Sequence, residues 1–548
     1  MQPALPNPFY YLDNFRFLLQ WVGARYADLL SVEEAAFLDQ LPQLPHKSQA
    51  LLVRMVMRRG DQFRASKLSY AEIGAAADAA QALLDAGWVT QDPVISAAAA
   101  GQLLLRAELL AAMSAADAHS PSSRASKEAL LQSFIALETE PRPFSHWLPA
   151  DPLYQLQIRP FCDRLRLMFF GNLRQDWSEF VLAELGIYRY EKVEIPAEAR
   201  VFRCREDVDI YLHLHACRSQ LEDGVPCAEV AAQLGAQALD NPWLEERRGR
   251  LLFALGQAFE RAQCWDEATQ MYAQSVDPAA RVRAVRVLER SGQHAAALHT
   301  AQALLSVEHG CDEVSAQQLQ RILPRLQRAT GAAVIRKARQ PSAERFDLIL
   351  PQPPAPLTVE HAVVAHLHRE DAPTVYVENT LINALFGLLC WDALFAPVPG
   401  AFFHPFHYAP ADLASPHFYR RRQAQFDAAL AQLDTGDYHA TIRQRHADKY
   451  GTQSGFVAWS VLDDALLTLA LDCLPAAHLR LWFERMLCDI TTNRSGFPDL
   501  IQFWPAERRY RMVEVKGPGD RLQDNQTRWL HYCVAHAMPV AVCYVTWA

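Results

Sequence analysis

Asp499, Glu514 and Lys516 are of the types, and stand at the spacing, that could gather a cation and aim a water at phosphorus. Asp499 opens an apolar run, Leu500-Ile501-Gln502-Phe503, that reads as a buried strand. Tyr510 to Lys516 reads as a second strand, because apolar and charged residues alternate there with period two. The polar stretch between them, Pro505 to Arg509, suits a hairpin connection. Side chains two apart on a strand share a face, so Glu514 and Lys516 project together with Met512 behind them. Asp499, at the entrance to the paired strand, can then meet Glu514 across the ladder. Two carboxylates converging at a strand bend suit a hard divalent cation such as Mg²⁺, which prefers oxygen ligands and keeps several waters. A lysine one pleat along can orient or help deprotonate a metal-bound water, which completes a minimal apparatus for phosphodiester hydrolysis. The bland alternative is an ordinary hairpin with exposed charges. The P-D before the first strand and the G-P-x-D-R-L after the second make chance a poor explanation.

The elements that must position these groups belong to a chain of 548 residues, too long for one core, so three or four domains are expected. Half the residues are hydrophobic. Ala and Leu dominate, and Val/Ile-rich runs are scarce before the last third, which predicts a mostly helical protein. Eleven cysteines are scattered singly without zinc-like spacing and read as buried apolar residues in a reducing compartment. No secretory signal and no bilayer-length apolar run is present, so a soluble intracellular protein without membrane contact is expected. The net charge of −9 argues mildly against nucleic acid as a partner. A local basic surface matters more to DNA than the whole-chain balance.

Positive charge clusters first in Arg54, Arg58, Arg59, Arg64 and Lys67, against only Asp61. An Ala-rich helix follows and closes on Gly87-Trp88-Val89, as a winged-helix unit does where it turns into its wing. Phosphate contact by these side chains and a solvated helix face are both consistent with the charge. Next come two short helices around a polar loop, the second opening at Lys127 with Leu130-Leu131. They resemble a SAP module, a small unit that contacts DNA backbone, with Arg124 and Lys127 as its contacts. The run Leu167-Met168-Phe169-Phe170 reads as core, while Arg159, Arg164, Arg166 and Arg174 leave a DNA-facing role open. Leu255-Gly256, Phe259, Ala268, Tyr272 and Pro278 fall close to tetratricopeptide spacing, and Gly292 and Ala297 repeat the relation of Gln263 to Ala268 at an offset of 29 residues. A Pro-rich loop (Pro351, Pro353, Pro354, Pro356) marks the last boundary. His361, His366 and His368 lack a completing ligand and read as satisfied histidines. Glu378 precedes a helix that is apolar almost all round, where a negative charge faces the helix N-terminal dipole. Asp392 is its rival, about four turns further along. Arg420, Arg421 and Arg422 form a second candidate phosphate contact. Asp520 to His536 reads as an amphipathic helix with Gln526 near the site, and Pro539 to Trp547 as the last buried strand.

P-D-(x)14-E-V-K-G-P resembles the PD-(D/E)XK nuclease signature in its VRR-NUC form. Val513 to Leu522, with Gln526 and Trp529, Glu378 with the following G-L-L-x-W-D, and Phe402 to Arg422, resemble the Fanconi-associated nuclease family. That resemblance implies a multidomain, mainly α protein with a C-terminal α/β nuclease domain. Its layout would be a winged-helix-like region over 1–98, a SAP-like region and linker helices over 99–210, tetratricopeptide-like repeats over 211–345, and VRR-NUC over 346–548. It implies Glu378, Asp499, Glu514 and the Val515 carbonyl as ligands to Mg²⁺ or Mn²⁺, Lys516 at the nucleophile, and Gln526 as support. It also implies incision near 5′ flaps, 5′-to-3′ exonuclease activity, and work in DNA interstrand crosslink repair. The setting would be the bacterial nucleoid or, in a eukaryote, the nucleus. The helical repeats would offer a surface to protein partners. The zinc-dependent ubiquitin-binding finger of eukaryotic members has no counterpart, so ubiquitin-directed recruitment is not expected. The rival functions are a Holliday-junction resolvase and a non-catalytic repeat scaffold.

Overall fold

A computed structural model describes residues 7–115, 125–175, 177, 188–306, 312–334 and 342–548. The chain forms two compact units, Met1–Ile187 and Tyr188–Ala548.

The first unit begins with helices Tyr10–Tyr26, Val32–Gln40 and His46–Val56, the second opened by a reciprocal Ser31/Glu34 capping box. Strand β1 is Gln62–Arg64, followed by helix Ala76–Asp85 and strand β2, Val89–Gln91. The helix ends as its sequence predicts. Gly87 takes φ +71°, and the N–H groups of Gly87 and Trp88 donate to the Leu84 and Leu83 carbonyls, a Schellman cap that turns the chain into β2. Strands β3 (Val94–Ile95) and β4 (Arg142–Pro143) pair antiparallel, with Ile95 opposite Arg142. Between them lie helices Ala97–Leu103, Arg106–Ala115 and Lys127–Leu137. The next strand, β5 (Leu153–Leu156), slots between β1 and β2 and is antiparallel to both. The expected boundary at 98/99 therefore falls inside one fold, and Leu153 of β5 shares a core with Leu104, Leu109, Leu130 and Phe134. Leu167 to Phe170 are buried, as read from sequence.

In the second unit, helix hairpins Pro242–Arg261/Trp265–Gln274 and Pro278–Arg290/His294–Ser306 precede helix Glu313–Thr330. The hairpin turns carry Gln263 at φ +60° and Gly292 at φ +82°, and so recur with the offset read from sequence. A Cβ on Gly256 would stand 2.6 Å from the Tyr272 ring, so glycine permits the close crossing of the first pair. The nuclease-like sheet has the order β6-β10-β9-β8-β7. Its strands are β6 (Glu344–Leu350), β7 (Thr374–Tyr376), β8 (Leu500–Trp504), β9 (Arg509–Lys516) and β10 (Val540–Trp547). β8 and β9 form the expected hairpin, and β9 reaches the parallel β10 through helix Asp524–Ala535. Both edge strands, β6 and β7, went unread in the sequence, and β6 straddles the expected boundary at 345/346. Helix Leu381–Leu389 is buried at every position.

Candidate active site

The register that sets Leu500 opposite Val513 carries Asp499 to the position opposite Glu514. Two backbone contacts hold it there. The Val515 N–H donates to Asp499 Oδ2 at 2.8 Å, and the Val377 N–H donates to the Asp499 carbonyl at 2.8 Å. Alternation along β9 sends Val513 and Val515 into the core with Val363, leaving Glu514 and Lys516 on the opposite face. All three polar side chains are buried, Glu514 completely at 0 % exposure. Lys516 Nζ lies 2.7 Å from Glu514 Oε1, while Oε2 meets no donor.

Burial, and then the Asp499 charge, push Glu514 up to about 8. Burial pushes Asp499 up to about 6 against the pull of the Val515 N–H. Burial also works against the Lys516 ammonium, but the carboxylates of Glu514 and Asp499 outweigh it and hold its pKa above that of an ordinary lysine. A buried carboxylate oxygen without a donor is costly unless a cation meets it. The all-oxygen set of Asp499 and Glu514 fits a hard divalent ion.

Glu378 stands beside this pair without joining it. Its charge raises both Asp499 and Glu514, yet its side chain is exposed and accepts from the Tyr376 hydroxyl at 2.5 Å and the Asn379 amide at 3.3 Å. Among the described residues, no three carboxylate, His or Cys side chains converge on one point. The Tyr376 hydroxyl and the Asn379 amide hold it on the exposed side. Glu360, in the first turn of helix Val359–Leu367, also raises Asp499 and was missed. Its sequence signal is an acidic residue two after Thr358, which reads only as a helix start. Asp392 sits in a separate short helix, exposed and paired with Arg445.

Gln526 departs from expectation. Its Oε1 accepts from the Gln523 N–H at 2.9 Å in a capping box, and among the described residues no hydrogen bond joins it to Asp499, Glu514 or Lys516. The helix instead braces the motif elsewhere: Trp529 stacks 4.1 Å from Phe497, and its indole N–H donates to the Ser495 carbonyl at 3.1 Å. His361 and His368 are satisfied locally, by Thr358 and Thr374.

The arginines divide by burial. Arg54 is spent on Glu72 at 2.6 Å and lies over the Tyr11 ring at 3.8 Å, so its expected DNA role gives way to a structural one. Arg64 is corrected in the same way. It is 7 % exposed and reaches Asp151 Oδ2 at 2.7 Å, both Glu108 oxygens at 2.7 and 2.6 Å, and the Leu103 carbonyl at 3.0 Å. Removing one member of such a network leaves charge uncompensated, so Arg64→Ala should cost about 3–5 kcal/mol, read as a lowered melting temperature. Arg422 is fully buried on Asp412, and Arg421 shares Asp412 and Glu246. Arg159 donates to the Val56, Met55 and Arg58 carbonyls. Arg58, Arg59, Lys67, Lys127 and Arg420 are exposed. Arg58 and Arg59 line a cavity of about 460 Å³ with Arg166, Arg174 and Trp177. Arg124 lies outside the described residues.

Three family models match the chain: the FAN1 HTH domain over residues 9–90, the Fanconi anemia-associated nuclease SAP domain over 94–147, and the VRR-NUC domain over 434–547. The Fanconi-associated nuclease 1 homolog of Pseudomonas aeruginosa is 54 % identical across 100 % of this chain and 97 % of that protein. The homolog of Oryza sativa is 24 % identical across 99 % of this chain, which spans 63 % of the rice protein's length. Human Fanconi-associated nuclease 1 is 30 % identical over 34 % of this chain and 19 % of its own. The crystal structure of paFAN1 bound to 5′ flap DNA with a two-nucleotide flap and a gap superimposes with a TM-score of 0.89 at 53 % identity, covering 100 % of both chains.

Proposed function

The chain belongs to the Fanconi-associated nuclease 1 family, and from that premise we propose that it cuts branched DNA near the junction of a 5′ flap. Membership makes it a divalent-metal-dependent nuclease. The proposal adds Mg²⁺ or Mn²⁺ as the ion, 5′-to-3′ exonuclease activity, and a task in interstrand crosslink repair at the bacterial nucleoid. One observation carries the chemistry: Glu514, wholly buried and opposite Asp499 in the ladder, has an oxygen that no donor meets, and Lys516 stands 2.7 Å from its other oxygen. The relative's flap complex supports the substrate class.

Asp499 and Glu514 would hold the ion, with Glu378 and the Val515 carbonyl completing the set. A bound divalent ion supplies charge neutralisation and a water of lowered pKa. Lys516 orients the attacking water and holds its ammonium against the phosphoryl oxygens. The Val515 N–H keeps Asp499 from rotating out of reach. The products are a 3′-hydroxyl and a 5′-phosphate.

A panel of labelled 5′ flap, 3′ flap, four-way junction, nicked and single-stranded substrates, with Mg²⁺ or Mn²⁺, tests this against Asp499→Ala. Preference for the 5′ flap is the expected result. Symmetric cutting of four-way junctions would favour the resolvase reading instead. Replacing Arg58 and Arg59 together by alanine should weaken flap binding by a similar factor for every sequence. It should reduce the slope of log affinity against log salt by roughly 1–2, measured by fluorescence anisotropy.

A further inference from the structure

Asn379 adopts φ +51°, left-handed backbone that few residues other than Gly and Asn enter readily. It sits directly after Glu378, and its side chain reaches across to the loop that delivers Asp499. Asn379 Oδ1 accepts from the N–H groups of Gly496 at 2.8 Å and Phe497 at 3.2 Å. Its Nδ2 donates to Glu378 Oε1 at 3.3 Å. Its carbonyl accepts from Asn383 Nδ2 at 2.6 Å, and that amide also donates to the Arg494 carbonyl at 2.8 Å. From the other side, Gly496 (φ +92°) is pressed against helix Asp524–Ala535. A Cβ on Gly496 would lie 2.8 Å from the Asn525 carbonyl carbon, so the loop has no room to move away.

We infer that Asn379 is a positioning residue for the cation site, one amide that fixes the Glu378 carboxylate against the loop carrying Asp499. The inference rests on the reading of Glu378, Asp499 and Glu514 as ion ligands. None of the three is held to the others directly; Asn379 is the group that touches both the first of them and the loop of the second. Partners of this kind behind metal ligands alter affinity by about 10–100-fold when removed.

The test is Mn²⁺ binding to the DNA-free, full-length protein, followed by electron paramagnetic resonance of the free ion. Wild type, Asn379→Gly, Glu378→Gln and the double variant form a cycle, with Asp499→Ala as control. Asn379→Gly keeps the left-handed backbone without strain and loses only the amide. It should bind Mn²⁺ about 10-fold more weakly, with the metal-free melting temperature lowered only as far as two loop N–H groups losing their acceptor require. Glu378→Gln should weaken binding in the wild-type background and have no further effect once Asn379 is gone, because residues acting as a unit are not additive. Should the glycine variant melt early, the cycle is run with Asn379→Asp, which keeps both acceptor bonds to the loop and removes the donor to Glu378. Glu378→Gln costing as much in the Asn379→Gly background as in wild type overturns the inference. Equal Mn²⁺ binding by wild type and Asp499→Ala would instead overturn the ion site itself. A silent Glu378→Gln in the wild-type background, with Asp499→Ala still impaired, removes Glu378 from the ligand set and the inference with it.

Discussion

Asp499→Ala and Glu514→Ala each lower cleavage of a 5′-flap substrate on the order of 10³-fold, while the affinity for uncleaved flap DNA stays within about threefold of wild type. The separation follows from geometry. Both carboxylates lie at the β8–β9 hairpin, buried at 5 % and 0 % exposure, and among the described residues they are the hairpin's only buried carboxylates. The basic side chains proposed to hold duplex phosphates are elsewhere: Arg58, Arg59, Lys67 and Lys127 in the first unit. Removing an acidic group near incoming phosphates lowers repulsion, so binding has no reason to fall. Gel-shift titration in a chelator and single-turnover cleavage in Mn²⁺ separate the two quantities. Equal loss of binding and cleavage would show that the carboxylates hold the fold and not the ion.

The Mn²⁺ affinity of the DNA-free protein should rise about tenfold per pH unit between pH 6 and 8 and flatten above. Glu514, pushed up to about 8, is mostly protonated at pH 7, whereas Asp499, at about 6, is mostly ionised. An ion needs both ionised, so binding at pH 7 expels about one proton. The sign for stability runs the opposite way. A carboxyl whose pKa is higher in the folded state than in the unfolded chain favours folding at low pH and loses that contribution as pH rises toward its folded value. The metal-free protein should therefore melt lower at pH 8 than at pH 6, and Mn²⁺ should protect most where the bare site is weakest. Calorimetry in buffers of different ionisation enthalpy counts the proton. A flat affinity over this range would mean that Lys516 alone keeps Glu514 ionised.

The hairpin was legible because its information is local. Alternation assigns faces and a short turn fixes register, so Asp499 opposite Glu514 could be read from residues 499 to 516. What escaped was set at long range. Arg54 and Arg64 look like neighbours in one basic cluster, yet Glu72, Glu108 and Asp151 claim them. Only folding brings those acids near. Glu378 precedes the buried helix as read, but its side chain is taken by Tyr376 and Asn379, neighbours whose claim on it the helix pattern does not reveal. Gln526 lay on the helix as expected, while its side chain was taken by a cap whose first member is Gln523, outside the usual Ser, Thr, Asp and Asn. β5 carries four residues, and the Asp151-Pro152 turn before it does not reveal its partners, which lie far back in the chain.

Because β3 and β4 leave and rejoin the first unit side by side, with Ile95 against Arg142, the segment between them, with three helices among its described residues, forms a cassette with adjacent ends. A two-residue turn could close the gap left by its excision. Arg64 is the bolt that fastens this cassette to its base, since Leu103 and Glu108 belong to the insert and Asp151 does not. Any shortened version therefore has to replace the arginine as well, or keep a cation stranded where half its anchorage used to be.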